Sequence, residues 1–154
     1  MSSRFLANGK KIAIVMSEFN HTITTLLFNE ARKTYLDHGG NSDLLSVYKV
    51  PGAFEIPGTV KIVLDNLDYD AIVTLGAVIR GETPHFDFIS SECARGISDL
   101  SIAYSIPIIF GVLTTDDLQQ ALYRSSVDGS NKGKEVMEAA LQTIHVYEGI
   151  KFKK

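Results

Sequence analysis

The chain has 154 residues, 45% of them hydrophobic and 21% charged, a globular balance with length enough for one domain over residues 1–154 and a sizeable core. Its net charge of −3, with no basic cluster beyond Lys151, Lys153 and Lys154, argues against nucleic acid as a partner. The lone Cys93 excludes an intrachain disulfide, and no signal segment or membrane-length apolar run is present, so the expectation is a cytoplasmic protein with no membrane partner.

Met1 to Lys10 is polar apart from Phe5 and Leu6. It reads as a loose arm, or as an edge strand if a neighbouring sheet receives it. Lys11 to Ser17 is the first strand, with Glu18-Phe19-Asn20 at its carboxyl end. Ile23, Leu26, Leu27, Ala31, Tyr35 and Leu36 then mark an amphipathic helix that Gly39-Gly40 stops. A second strand covers about Leu44 to Val50, Pro51-Gly52 breaks it, and a helix follows over roughly Pro57 to Asn66. The third strand is the apolar run Ala71 to Ile79, read as fully buried and parallel. Its helix carries Phe88, Ile89, Cys93, Ile97 and Leu100 near helical spacing and runs to about Tyr104. Pro107 to Leu113 is the fourth strand, and Thr114-Thr115-Asp116 is expected to cap a short helix through Tyr123. After a polar loop, a final helix spans about Gly133 to Gly149, with Val136, Ala140, Leu141, Ile144 and Tyr147 as its inner face.

Four alternations of strand and helix predict a three-layer α/β/α fold on a four-stranded parallel sheet with right-handed crossovers. Ligands of such sheets bind outside the carboxyl ends of the strands. Phe19-Asn20, Gly52 to Glu55, Arg80 to His85 and Thr114-Thr115 stand there. In Arg80-Gly81-Glu82-Thr83-Pro84-His85, Thr83 is expected to cap a helix and Pro84 to occupy its first position. That places His85 in the first turn, where the positive end of the helix dipole favours the neutral imidazole a general base requires. The same helix end, with Gly81 and Arg80 beside it, can hold an anion. A plain strand-to-helix turn with a surface histidine has the same pattern.

Other chemistries lack their residues. No GxGxxG follows the first strand, and Gly129 to Lys134 misses the spacing of a phosphate loop. Gly76-Ala77 stands where a receiver domain would carry its acidic phospho-acceptor. His21, His38, His85 and His145 are scattered, without the pairing a metal site needs, so no metal is expected. His38 and His145 read as helix-surface residues, and Cys93 as core.

Five segments together resemble the lumazine synthases: Phe19-Asn20, the run VPGAFEIP at Val50 to Pro57, GAVIRGETPHFDFI at Gly76 to Ile89, FGVLTTD at Phe110 to Asp116, and Asn131-Lys132-Gly133. The match covers about Lys11 to Tyr147. The resemblance implies a flavodoxin-like sheet and an enzyme, 6,7-dimethyl-8-ribityllumazine synthase, of riboflavin biosynthesis. It implies a condensation, without cofactor, of 5-amino-6-(D-ribitylamino)uracil with 3,4-dihydroxy-2-butanone 4-phosphate that releases phosphate and water. By the same resemblance His85 transfers protons, and Phe19 stacks on the pyrimidine. Asn20, Ala53, Phe54, Glu55, Val78 and Ile79 line the pyrimidine and ribityl pocket. Phe110 is the aromatic that a neighbouring subunit supplies. Glu82, Thr83 and Arg124 bind phosphate, and Lys132 and Glu135 are further polar site residues, Lys132 on the substrate side.

A homo-oligomer with sites at its subunit interfaces follows, with riboflavin synthase as a candidate partner. Many members that build icosahedral shells carry a Gly-Thr-Lys-Ala-Gly-Asn-like run where this chain has Ser126 to Asn131. The missing lysine argues against a shell and for a pentamer. The alternative to the enzyme is a relative that binds flavin or lumazine without turnover. Retained His85, Arg124 and Lys132 favour catalysis, because a pure binder needs no proton shuttle.

From residue type alone, Phe19 and Phe110 could be core, although both read as lying on the carboxyl side of a strand. Glu55 among apolar neighbours would be costly if buried unpaired, so it is expected to need a partner such as ribityl hydroxyls.

Overall fold

Successive side chains on a strand point to opposite faces, and here both faces are apolar. The computed structural model describes residues 5–153. Its strands are β1 (Ile12–Ser17), β2 (Leu45–Val50), β3 (Ala71–Ile79) and β4 (Ile108–Thr115). They are parallel, in the order β2-β1-β3-β4, and Ile12 pairs with Leu45 on one side and Ala71 on the other. All of β1 and most of β3 are buried, which is why they read as unbroken apolar runs.

The helices are α1 (His21–Asp37), α2 (Ile56–Asn66), α3 (His85–Ala103), α4 (Leu118–Ser125) and α5 (Lys132–Lys151). Ile12, Ile14 and Met16 of β1 join a core with Leu27 of α1, Ala121 of α4 and Leu141 of α5. Ala13 and Val15, one step along, join Val60 of α2 and Cys93 and Ile97 of α3. Each fully buried Leu or Ile contributes about 1.5–3 kcal/mol. Gly133 lets α5 settle on α1, since a Cβ there would stand 2.3 Å from the Leu27 carbonyl oxygen.

The topology makes the crevice. From β1 the chain moves outward to β2 through α1, then returns past β1 to β3 through α2 on the other face. The loops leaving β1 and β3 therefore diverge, and the gap between their carboxyl ends stays open.

Several expectations need correction. Within one chain Phe5 to Lys10 forms turns and coil and adds no strand to its own sheet, and Met1 to Arg4 lie outside the described residues. β4 continues through Thr114 and Thr115 because both pair with β3, opposite Val78 and Ile79. The cap of α4 is consequently Asp117, whose carboxylate accepts from the Gln120 N–H at 2.8 Å. Met137, not Tyr147, completes the buried face of α5. His38 and His145 are not free surface residues: His38 Nδ1 lies 2.8 Å from the Thr34 carbonyl and His145 Nε2 3.2 Å from that of Leu6. Cys93 is buried, as expected, and burial pushes its thiol up to about 11.

Candidate active site

Backbone bonds between loops build the site before any side chain enters it. The Glu18 N–H donates to the Val50 carbonyl at 2.8 Å and the Phe19 N–H to that of Pro51 at 3.0 Å. They tie the loop after β1 to the loop after β2 and leave the Phe19 ring 70% exposed. Asn20 follows with φ 60°, a left-handed conformation that asparagine tolerates better than most residues. Its side-chain amide donates to the Ala77 carbonyl at 2.8 Å, joining the same loop to β3.

After β2, a 3₁₀ turn over Ala53–Glu55 leads into α2. Ala53 is buried and anchors the turn, while Phe54 is 58% exposed. Glu55 is exposed as well, and its carboxylate accepts from the Gly52 N–H at 2.9 Å. The burial that would make an unpaired Glu55 costly is absent: the tight turn holds it at the rim, and the partner it finds within the chain is a backbone donor.

At the end of β3, Val78 and Ile79 are half-buried. α3 starts one residue later than expected, with Pro84 as cap and His85 as first residue. The Thr83 hydroxyl still accepts from the His85 N–H, at a long 3.4 Å. His85 is in the first turn and exposed. Among the described residues, the N–H groups of Gly81, Glu82 and Thr83 make no hydrogen bond within the chain. A Cβ on Gly81 would meet nothing within 4 Å, so the space above this loop is open to a ligand.

These loops enclose a crevice of about 560 Å³, within the range of small-molecule sites. Phe19, Asn20, Ala53, Phe54, Glu55, Val78, Ile79, Thr83 and His85 all line it, nine of the expected site residues in one place. Phe86 and Ile89 of α3 line it too. The sequence reading missed Phe86 and placed Phe88 on the inner face, yet Phe88 is 66% exposed. The available signal was spacing: Phe86, Ile89, Cys93, Ile97 and Leu100 follow one another at three and four residues, and Phe88 falls off that stripe. Arg80 is not free for an anion: its Nε donates to Asp116 at 3.0 Å, Nη1 reaches Asp87 at 3.4 Å, and the guanidinium lies 4.4 Å from the Phe86 ring centroid. Asp116, then Asp87, hold its pKa above the ordinary guanidinium value.

Five expected residues lie outside the crevice lining: Glu82, Phe110, Arg124, Lys132 and Glu135. Glu82 is on the rim loop, exposed. Phe110 is the third residue of β4, opposite Thr74, not at a carboxyl end. It is 38% exposed on the sheet's outer strand, so neither it nor Phe19 is core. Arg124 sits in the last turn of α4, and Lys132 pairs with Glu135 at 2.8 Å at the start of α5. The crevice itself therefore holds apolar walls, one carboxylate and one imidazole, with no lysine or arginine. Among the described residues no group of three or more His, Cys, Asp or Glu could hold a metal ion, and no helix is long and apolar enough to cross a membrane.

The arrangement suits a flat, partly polar ring against Phe19 and Val78, with an anion near Gly81 to Thr83 and a proton carrier beside it. Residues 9–148 match the family model described as 6,7-dimethyl-8-ribityllumazine synthase. The chain is 45% identical to a protein of that name from Helicobacter hepaticus over 94% of this chain and 93% of the relative. It is 41% identical to one from Campylobacter hominis over 95% and 94%, and 41% identical to one from Wolinella succinogenes over 94% and 93%. With the crevice in place and the match running almost end to end, this chain belongs to the 6,7-dimethyl-8-ribityllumazine synthase family.

Proposed function

We propose that this chain condenses 5-amino-6-(D-ribitylamino)uracil with 3,4-dihydroxy-2-butanone 4-phosphate, residues 1–154 acting as one unit. The observation that carries the reading is the crevice, which gathers Phe19, Val78, Ile79, Thr83 and His85 at the gap between β1 and β3. The pyrimidine stacks on Phe19, and the ribityl chain lies along Asn20 and Ala53 to Glu55. The phosphate sits on the open N–H groups of Gly81 to Thr83. The amine attacks the ketone to form a Schiff base with loss of one water, phosphate leaves, and the ring closes with loss of a second water. His85 moves protons between these steps, and positioning in the crevice supplies most of the acceleration, up to roughly 7–11 kcal/mol.

The phosphate end lacks a cation within the crevice, and we place Arg124 there from a second copy, with Phe110, Lys132 and Glu135. Glu82 completes the loop around the phosphate. Exposed Ile62, Phe88 and Ile102, with Phe110 on the outer strand, give such a copy an apolar surface to cover. The Ser126 to Ser130 run favours a pentamer, and the product would pass to riboflavin synthase.

An absorbance and fluorescence assay with both substrates, beside a no-enzyme control, tests the condensation. Lumazine formation with matching phosphate release, lost when the butanone phosphate is omitted, is the expected outcome. A folded protein that binds the pyrimidine and gives no acceleration would leave a binding protein instead.

A further inference from the structure

We propose that Arg80 is a positioning residue that braces the anion loop and His85 from outside the crevice, and does not itself bind the phosphate. Arg80 directly precedes Gly81 to Thr83, where β3 ends. Its own N–H donates to the Thr115 carbonyl at 2.8 Å, so the backbone is fixed to the end of β4. Its side chain then turns to two carboxylates on different elements: Asp116, just past β4, at 3.0 Å, and Asp87, in the first turn of α3, at 3.4 Å. The guanidinium also lies against the ring of Phe86, the residue after His85, and Phe86 lines the crevice. One side chain thus connects the ends of two strands to the first turn of the helix that carries His85.

An exposed ion pair alone stabilises little. A planar fork held by two carboxylates and a ring is different, because it fixes direction as well as distance. The loop needs such a support: among the described residues the backbone N–H groups of Gly81 to Thr83 make no hydrogen bond, and the bond from the His85 N–H to the Thr83 hydroxyl is long. The two carboxylates beside it offset the guanidinium's positive charge, which weakens its pull on a phosphate. The brace acts on the anion end and leaves Phe19, Asn20 and Ala53 to Glu55 untouched.

The proposal rests on the condensation above, and its test separates the two. Inorganic phosphate is titrated into the wild type, Arg80→Ala, Arg80→Lys and Asp116→Asn, and KM and kcat are measured for each substrate. A misplacement of about 1 Å costs on the order of 10²-fold. Arg80→Ala is therefore expected to weaken phosphate and raise the KM of the butanone phosphate by about ten- to 10²-fold, with kcat lowered. Arg80→Lys keeps the charge but loses the fork, so it restores only part. The pyrimidine KM should stay near wild type in all of them. Asp116→Asn is the deciding variant, nearly isosteric with the wild-type side chain. If Arg80 is a brace, loosening it weakens phosphate; tighter phosphate binding in Asp116→Asn would make Arg80 a direct anion ligand and overturn the proposal. Equal rises in both KM values would also overturn it, as the mark of general destabilisation. A wild type that forms no product overturns the condensation and the proposal together, whereas an active wild type with unaffected variants overturns the brace alone.

Discussion

Two groups of residues share one resemblance but not one place. Phe19, Asn20, Ala53, Phe54, Glu55, Val78, Ile79, Thr83 and His85 come from three loops and converge on one crevice. Phe110, Arg124, Lys132 and Glu135 lie on β4, α4 and α5, away from it. The first group stands at the gap the topology leaves open, so folding of one chain is enough to assemble it. The second has no such reason to converge within a chain. Its members stay half-exposed or exposed on surfaces that a second copy can bring to the crevice. The difference teaches that the crevice, its anion loop included, is a property of the fold, whereas the placing of Arg124, Phe110, Lys132 and Glu135 against it belongs to the proposed assembly.

Substitution at His85 separates the groups most strongly. His85→Ala should slow turnover by about 10²–10⁴-fold, the usual worth of a general acid–base group. It should still exceed the uncatalysed rate, because positioning is retained; turnover at background would contradict that ranking. Arg124→Ala should weaken the butanone phosphate by about 1.5–3 kcal/mol, the loss of a charge-assisted hydrogen bond. The pyrimidine should bind as before, and equal weakening of both in a titration would move Arg124 out of the phosphate site.

Smaller effects test the scaffold under the crevice. The Cys93 thiol has its pKa pushed up from 9.0 to about 11 by burial. A raised folded value means the unfolded chain loses its proton first as pH rises, so the contribution is full below about 9 and fades toward 11. The loss should reach about 2–3 kcal/mol at the upper end. Denaturation at a series of pH values should show a steeper decline for wild type than for Cys93→Ala, and parallel curves would refute the assignment. The smallest effect is expected at Ser17, at the end of β1, whose buried hydroxyl has no hydrogen-bond partner among the described residues. Ser17→Ala should raise stability by about 1 kcal/mol, since an unpaired buried polar group costs about 1–3. A clear loss of stability would contradict the assignment of an unpaired hydroxyl at the end of β1.

Much of this was legible in the sequence, because period and punctuation report local structure. β3 was readable to the residue from its apolar run, and Pro51-Gly52 and Gly39-Gly40 marked true ends. The crevice loops were legible because they stand at the carboxyl ends of the strands, where ligands of such sheets bind. What escaped depends on pairing between distant segments. β4 runs on through Thr115 because β3 is there to pair with it, and nothing local in Thr114-Thr115 says so. Phe110 was placed too near a strand end for the same reason. The Gly52 N–H as a partner of Glu55 escaped as well, because nothing in its apolar neighbours marks the 3₁₀ turn that faces the carboxylate outward. His38 and His145 read as surface residues, yet backbone carbonyls lie within reach of both. Arg80 read as an available cation, since its carboxylate at position 116 is far away in sequence.

Complementation between impaired variants tests the shared site most directly. His85→Ala and Arg124→Ala proteins, each impaired alone, are unfolded, mixed in equal amounts and refolded together, and their activity is compared with the average of the two refolded separately. If the site takes His85 from one copy and Arg124 from another, mixed assemblies contain some wild-type sites, and activity rises clearly above that average. Activity that stays at the average, in assemblies shown by native mass to be mixed, would mean that one chain supplies both residues, and would contradict the account.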